Sequence, residues 1–272
     1  MSNRMPRPPR PAARSRPASR PRRVEAPRRA AEPAGPQRIA KLLARAGVAS
    51  RRDIERMIAD GRIALNEEVL TTPATLLTDL RGVTVDGKPV AEPEAARLFL
   101  FHKPAGCLTT ARDPKGRRTI YDLLPKDLPR LQPIGRLDMN TEGLLLLTTD
   151  GELKRALELP ANAVERRYRV RVYGCVEQAA LEALSEGVTI EGVRYGSILA
   201  DLERRTGANA WLTMTLTEGK NREVRRVAEH LGLKVTRLIR TAYGPFTLGE
   251  SEPGEIVEAS AADVARLQKR LK

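Results

Sequence analysis

Apolar residues take on a helical period soon after residue 36. Ile39, Leu42, Leu43 and Ala46 fall at i, i+3, i+4 and i+7, which predicts a short helix closed by Gly47 at its C′ position. A second helix follows at once. Ser50 is a suitable N-cap, Asp53 completes a capping-box-like pair, Ile54, Met57 and Ile58 supply the apolar stripe, and Gly61 ends it. Residues 62–65 then read as a strand and 66–68 as a turn. Asp86-Gly87, between Val83/Val85 and Val90, reads as a tight hairpin turn, and Pro89 and Pro93 discourage helix beyond it.

From Leu98 onward the pattern mixes strand and helix. Residues 98–101 predict a strand ending at Lys103-Pro104, and the unbroken run 144–149 predicts a fully buried one. Asp150-Gly151 supplies a turn and N-cap for a helix carrying Leu153, Ala156 and Leu157, which must stop by Pro160. Residues 168–173 and 212–216 alternate with period two. Strands and helices do not alternate regularly enough for a doubly wound parallel sheet, so the expected class is α+β with a largely antiparallel mixed sheet.

Composition adds a partner class and removes several chemistries. The 272 residues carry 48 Lys+Arg against 34 Asp+Glu, a formal +14, and +8 of it sits in residues 1–36, with ten Arg, two Glu and nine Pro. Such a segment has too little apolar surface to offset its ordering entropy and is expected to be disordered. Residues 37–95 balance at nine basic and nine acidic residues, yet 38–62 hold seven basic against three acidic. Lys41/Arg45 and Arg52/Arg56 are i, i+4 pairs off the apolar stripes, which reads as a solvated basic face.

Only two cysteines, Cys107 and Cys175, and two histidines, His102 and His230, occur, with no ligand spacing. No metal site and no disulfide framework are expected, and a cytoplasmic location fits. The chain has neither a P-loop nor a GxGxxG after a strand, neither a secretory h-region nor a run long enough to span a bilayer.

Three segments combine polar residues with local geometry. Residues 135–143, GRLDMNTEG, form a polar loop bracketed by glycines just before the buried strand. The loop could aim the Asp138 carboxylate at a ligand, or be an ordinary Asp/Asn turn. In RRYRV, period two puts Tyr168 on the face of Val170 and Val172, where its hydroxyl needs a polar partner, and alone it reads as a core tyrosine. In EGKNREVRR, Asn221 can N-cap a helix whose stripe is Val224, Val227, Ala228 and Leu231. Arg225 then lies at the stripe's edge, within reach of a carboxylate, and Lys220, Arg222 and Arg226 point outward toward phosphates. This segment alone reads equally as a solvated basic helix.

Two resemblances join these pieces. RIAKLLARAGVASRRDIERMIADGRIALNEEV resembles the RNA-binding domain named after ribosomal small-subunit protein four, which implies RNA contacts from Arg38, Lys41, Arg45, Arg51, Arg52 and Arg56. GRLDMNTEGLLLLTTDG, with HKPAG, RRYRV, LTEGKNREVRR and RLIRTAYGPFTL, resembles the bacterial ribosomal-RNA pseudouridine synthases of the RsuA/RluB family, most like the RluB-type members that act on the large subunit. The implied organisation is a tail over 1–36, an RNA-binding domain over 37–95, a pseudouridine-synthase domain with a central cleft over 97–260, and a C-terminal helix over 261–272.

The same resemblance implies a role for each residue: Asp138 as nucleophile, Tyr168 stacking on the target uracil, Arg225 as the ion-pair partner of Asp138, and Leu238 packing beneath the base. Arg136, Lys220, Arg222 and Arg226 would bind substrate. Arg166 stands where many members have Lys. The implied activity is isomerisation of a uridine in 23S ribosomal RNA, by a monomer needing no cofactor, metal or membrane. A small-subunit (16S) target and a non-enzymatic assembly factor are the competing expectations.

Overall fold

The computed structural model describes residues 35–271. The expected disordered tail lies outside them, apart from its last two residues. The amino-terminal unit opens with α1 (Ile39–Arg45) and α2 (Arg51–Ala59). Gly47 follows α1 at φ +82°, and the Ser50 side chain accepts from Asp53 N, so both helix ends form as their residues predict. The helices pack on a four-stranded antiparallel sheet of β1 (Ile63–Leu65), β2 (Glu68–Val69), β3 (Val83–Val85) and β4 (Lys88–Pro89), in the order β2-β1-β3-β4. The β3–β4 turn has both central residues at positive φ, Asp86 at 49° and Gly87 at 75°, as a type I′ hairpin requires. Ile39, Leu42, Leu43, Ile54, Ile58, Ile63 and Val83 fill the core of this unit.

The larger unit is built on one mixed sheet. Its strands are β5 (Leu98–Lys103), β6 (Glu142–Thr148), β7 (Arg166–Tyr173), β8 (Ile198–Thr206), β9 (Asn209–Leu216), β10 (Lys234–Tyr243) and β11 (Ile256–Glu258). They lie in the order β8-β9-β7-β10-β6-β5-β11, with Gln132–Pro133 added beside β6 and Phe246–Thr247 beside β10. Every pairing is antiparallel except the central one, where β10 runs parallel to β6. That join divides the molecule. On one side, Val170, Leu212, Met214 and Leu216 pack with Val224, Val227 and Ala228 of α5 (Glu223–His230). On the other, β6 is buried on both faces. Leu144 and Leu146 pack on α3 (Gly151–Glu158) and α6 (Ala261–Arg270), and Leu145 and Leu147 pack on Phe99, Phe101 and Leu137. This double burial is why the LLLL run shows no alternation, and each leucine stabilises the fold by roughly 2 kcal/mol. A short α4 (Gln178–Glu182) packs beside β8, where Leu202 N donates to the Gln178 side chain at 3.0 Å.

Gly143 makes the parallel join possible. Its φ is +102°, and a Cβ there would stand 2.3 Å from the Arg240 carbonyl oxygen and 2.7 Å from its nitrogen. Only glycine allows the two backbones this close. Across the same join Arg240 Nε donates to Leu144 O at 2.7 Å, and Arg237 makes a bidentate pair with Glu142 at 3.0 and 2.9 Å.

Two local expectations change. Asn221 does not cap α5. The helix starts at Glu223, preceded by Arg222 in the left-handed region at φ 52°. The basic face of α1 is also partly taken up by the larger unit. Lys41 pairs with Glu152, and Arg45 Nε lies 3.2 Å from Asp150 Oδ2, at the amino end of α3 in the larger unit. A helix N-terminus gathers carboxylates, here the Asp150 cap and Glu152, and these attract the cations of α1.

Candidate active site

A cleft of about 850 Å³ opens where β7, β10, the loop before β6 and the turn before α5 converge. Its first wall is the 135–141 loop. Lys103, fully buried at the end of β5, holds that loop from beneath. Its ammonium donates to the carbonyls of Thr141 (2.9 Å), Asp138 (3.1 Å) and Met139 (3.4 Å), and to Pro104 O at 3.0 Å. Burial pushes the Lys103 pKa down, while the nearby Cys107 and then the carboxylates of Asp138 and Glu142 oppose that shift. Thr109 completes the support: its hydroxyl donates to Leu137 O at 2.8 Å, and Gly106 N donates to Met139 O at 2.8 Å. The loop's backbone is thus fixed while the Asp138 side chain keeps 39% of its surface exposed.

The second wall is the turn 217–222 with the first turn of α5. It brings two guanidiniums to Asp138. Arg222 Nη1 stands 3.5 Å from Asp138 Oδ2, and Arg225 Nε 4.0 Å from the same oxygen. Arg222 is therefore the nearer cation, although helical geometry assigned it to phosphates. Arg222 precedes the helix in a left-handed turn, so its direction does not follow the period of α5. Arg225, with only 12% of its side chain exposed, also donates to Asn140 O at 3.0 Å and so ties the two walls together. Burial, and then the neighbouring Arg222, lower the Arg225 pKa, and Asp138 opposes this.

The floor is Tyr168 and Leu238. Both line the cleft, and Leu238 is buried. The Tyr168 ring is half-buried between two core clusters, and its hydroxyl has no hydrogen-bond partner among the described residues. Behind it the Tyr243 ring lies between the guanidiniums of Arg166 (4.9 Å) and Arg240 (5.0 Å), and Arg166 also donates to the Tyr243 hydroxyl at 2.9 Å.

Arg136 is exposed at the cleft rim. Lys220 lines the cleft too, but its ammonium is paired with Glu218 and lies 5.8 Å from the Tyr195 ring centre. Arg226 is not brought to the cleft: Nη1 reaches the Tyr195 hydroxyl at 3.5 Å instead. Among the amino-terminal cations Lys41 and Arg45 face α3, Arg56 pairs with Asp53, and Arg38, Arg51 and Arg52 are exposed. Sequence reasoning gave no role to Lys103 or Thr109. The HKPAG motif was the available signal, since a lysine closing an otherwise apolar strand needs acceptors. Among the described residues no three His, Cys, Asp or Glu side chains group as metal ligands, and no helix is long and apolar enough to cross a membrane.

A carboxylate held between two arginines above an aromatic floor suits attack on an electron-poor carbon beside a flat base. Comparison with known proteins decides the family. Residues 97–230 match the RNA pseudouridylate synthase family and residues 37–80 the S4 domain. A Rickettsia bellii protein described as an uncharacterized RNA pseudouridine synthase is 44% identical over 224 residues, covering 82% of this chain and 97% of its own. The chain belongs to the RNA pseudouridine synthases.

This synthase, an isomerase with an S4 RNA-binding domain, is also 42% identical to the Salmonella typhi ribosomal large subunit pseudouridine synthase B, over 80% of this chain and 77% of that one. A crystal structure of a pseudouridylate synthase superposes with a TM-score of 0.60 at 27% identity, covering 85% of this chain and 99% of that one. The α+β class and the mixed sheet agree with that relative.

Proposed function

We propose that this synthase converts a uridine of large-subunit (23S) ribosomal RNA to pseudouridine, with Asp138 as the nucleophile. The placement of Asp138 carries the reading. Its carboxylate is fixed by a rigid loop, flanked by Arg222 and Arg225, and open to the same cleft as Tyr168 and Leu238. The choice of RNA follows the relatives named ribosomal large subunit pseudouridine synthase B.

The reaction breaks the bond from the sugar to uracil N1, turns the base within the site, and joins its C5 to the same sugar carbon. The C5 proton then leaves and N1 regains one. A carboxylate can attack the sugar or assist loss of its 2′ proton without an added cofactor. Arg225 and Arg222 keep the charge of Asp138 compensated. Tyr168 and Leu238 retain the detached base, with about 1–3 kcal/mol from base–aromatic stacking. The target must leave its RNA stack, at roughly a few kcal/mol. Phosphate contacts from Arg136 and from the S4 domain's exposed Arg38, Arg51 and Arg52 offset this, so binding weakens as salt rises.

The test uses ribosomal RNA tritiated at uracil C5. Asp138→Asn is expected to abolish tritium release while RNA affinity stays within a few-fold, and undiminished release would refute the assignment. Mapping pseudouridines in a strain lacking the protein is expected to show one missing large-subunit site; a missing small-subunit site would redirect the target.

A further inference from the structure

A second, smaller hollow of about 250 Å³ lies outside the cleft, and the mechanism above makes no use of it. Its walls come from residues 121–131. Tyr121, Leu124, Leu128 and Leu131 line it together with Pro125 and Pro129, whose missing N–H groups leave the wall short of donors. The tyrosine and the three leucines belong to the cluster of Phe99, Phe101 and Leu137, so the hollow rests on the core that also carries the Asp138 loop. The segment is closed on itself by the Thr119–Asp122 capping box and by the Tyr121 hydroxyl, which donates to Leu131 O at 2.9 Å.

The rim is basic. Lys126 and Arg130 both line the hollow and are exposed, and neither makes a hydrogen bond or ion pair among the described residues. Asp127, between them in the chain, does not line it. The hollow also stands between the two RNA-facing parts of the molecule. Leu131 lines it, and the next residue, Gln132, lines the cleft. The Gln132 side chain lies against Gly151 at the amino end of α3, where Lys41 and Arg45 of the S4 domain are paired. The charge of Arg130 also reaches Asp53 of α2. RNA running from the S4 helices to Asp138 has this hollow beside its path.

We propose that the hollow is a second nucleotide site, in which one unpaired base of the substrate RNA stacks on Tyr121 while Lys126 and Arg130 hold the phosphates on either side. An apolar wall with one aromatic ring accepts a base of any identity, because every base has a π face. Two free cations at its rim suit the backbone that carries such a base. An apolar peptide side chain would fill the wall but leave both cations unused. The site anchors the RNA away from the reacting atoms, so it adds binding energy without a chemical step. It rests on the function proposed above for RNA as the substrate, but not for which subunit's RNA.

The test uses the full-length protein with 23S and 16S ribosomal RNA transcripts tritiated at uracil C5, and follows whichever the wild type modifies. A remote anchor stabilises the bound substrate and the transition state alike. Tyr121→Leu is therefore expected to raise KM about tenfold, as the loss of one base–aromatic stack would, with kcat within about twofold. Tyr121→Phe gives up the bond to Leu131 O but keeps the ring, so its KM should stay at the wild-type value although its Tm falls. Lys126→Ala and Arg130→Ala should leave Tm unchanged, and each should reduce the slope of log Kd against log salt by about one. Ultraviolet crosslinking of the same RNA should leave a nucleotide adduct on the peptide that holds Tyr121, and Tyr121→Leu should lose it.

A Tyr121→Leu protein with unchanged KM and lowered Tm would reduce the ring to packing and overturn the proposal, as would unaltered salt slopes in both cation variants. Normal KM and slopes on free RNA, with KM raised only on ribonucleoprotein particles, would hand the hollow to a protein partner and likewise overturn the base site. If the wild type releases tritium from neither transcript, the assigned function fails, while crosslinking and salt slopes still judge the hollow.

Discussion

The two walls of the cleft are held by opposite means. Under the Asp138 loop a buried ammonium, Lys103, gathers backbone carbonyls; under the Arg222 turn two acids, the half-buried Glu218 and the buried Glu223, each accept from a backbone amide. Burial lowers the Lys103 pKa and raises that of Glu223 to about 7. Each wall thus carries inside it the charge type opposite to the side chain it presents to the cleft: a cation beneath the carboxylate, acids beneath the arginines. One wall is tied down by four bonds from a single side chain, the other by one bond from each of two acids to a backbone amide.

The largest expected effect removes the lysine support. Lys103→Met removes four hydrogen bonds from a charged donor, at roughly 1.5–3 kcal/mol each, and leaves Thr141 O without a donor, while Asp138 O, Met139 O and Pro104 O keep one each. A loss of several kcal/mol in urea unfolding, with tritium release near background, would match this; a stable, active Lys103→Met would show that the loop holds itself. Gly143→Ala comes next. Its Cβ has no room beside the Arg240 backbone, so about 2–4 kcal/mol of stability should go, with activity falling in parallel. Smaller still, Arg222→Lys and Arg225→Lys separate the two cations. Arg225→Lys should cost more rate, because the guanidinium also bridges to Asn140 O, and Arg222→Lys should chiefly weaken the Asp138 contact. A larger loss from Arg222→Lys would reverse that ranking. Smallest, Arg45→Ala should change stability by about 1 kcal/mol, since its contact with the largely buried Asp150 is an ion pair in which Arg45 Nε makes no hydrogen bond. Its effect is expected instead in a loosened S4 domain, seen as faster proteolysis between residues 86 and 97.

Legibility in the sequence followed the range of the interactions. Helices α1 and α2 with their caps, the β3–β4 turn and the buried β6 run were readable because Gly47, Ser50, Asp86-Gly87 and four successive leucines act within a few residues of themselves. The motifs, by resemblance, also named the residues that the cleft assembles: Asp138, Tyr168, Arg225 and Leu238. What escaped depended on distant partners. Nothing local tells Lys103 that its acceptors lie 35–38 residues on, or turns Lys41 and Arg45 toward α3 instead of solvent. Arg222 was misplaced for a different reason: an angular argument assumes a helix, and the chain is still in a left-handed turn there.

The single parallel join between β6 and β10 also governs the order of assembly. Arg222 and Arg225 lie 84 and 87 residues beyond Asp138, and the two segments reach opposite sides of that join through separate antiparallel pairings, β5 with β6 and β8 with β9. Such remote pairing is slow to form. Either half can therefore acquire its strands while the cleft is still absent, and in refolding from urea the recovery of tritium release should trail the recovery of strand signal. A protein that binds RNA through its S4 domain early would then wait on the RNA for its own active site to close.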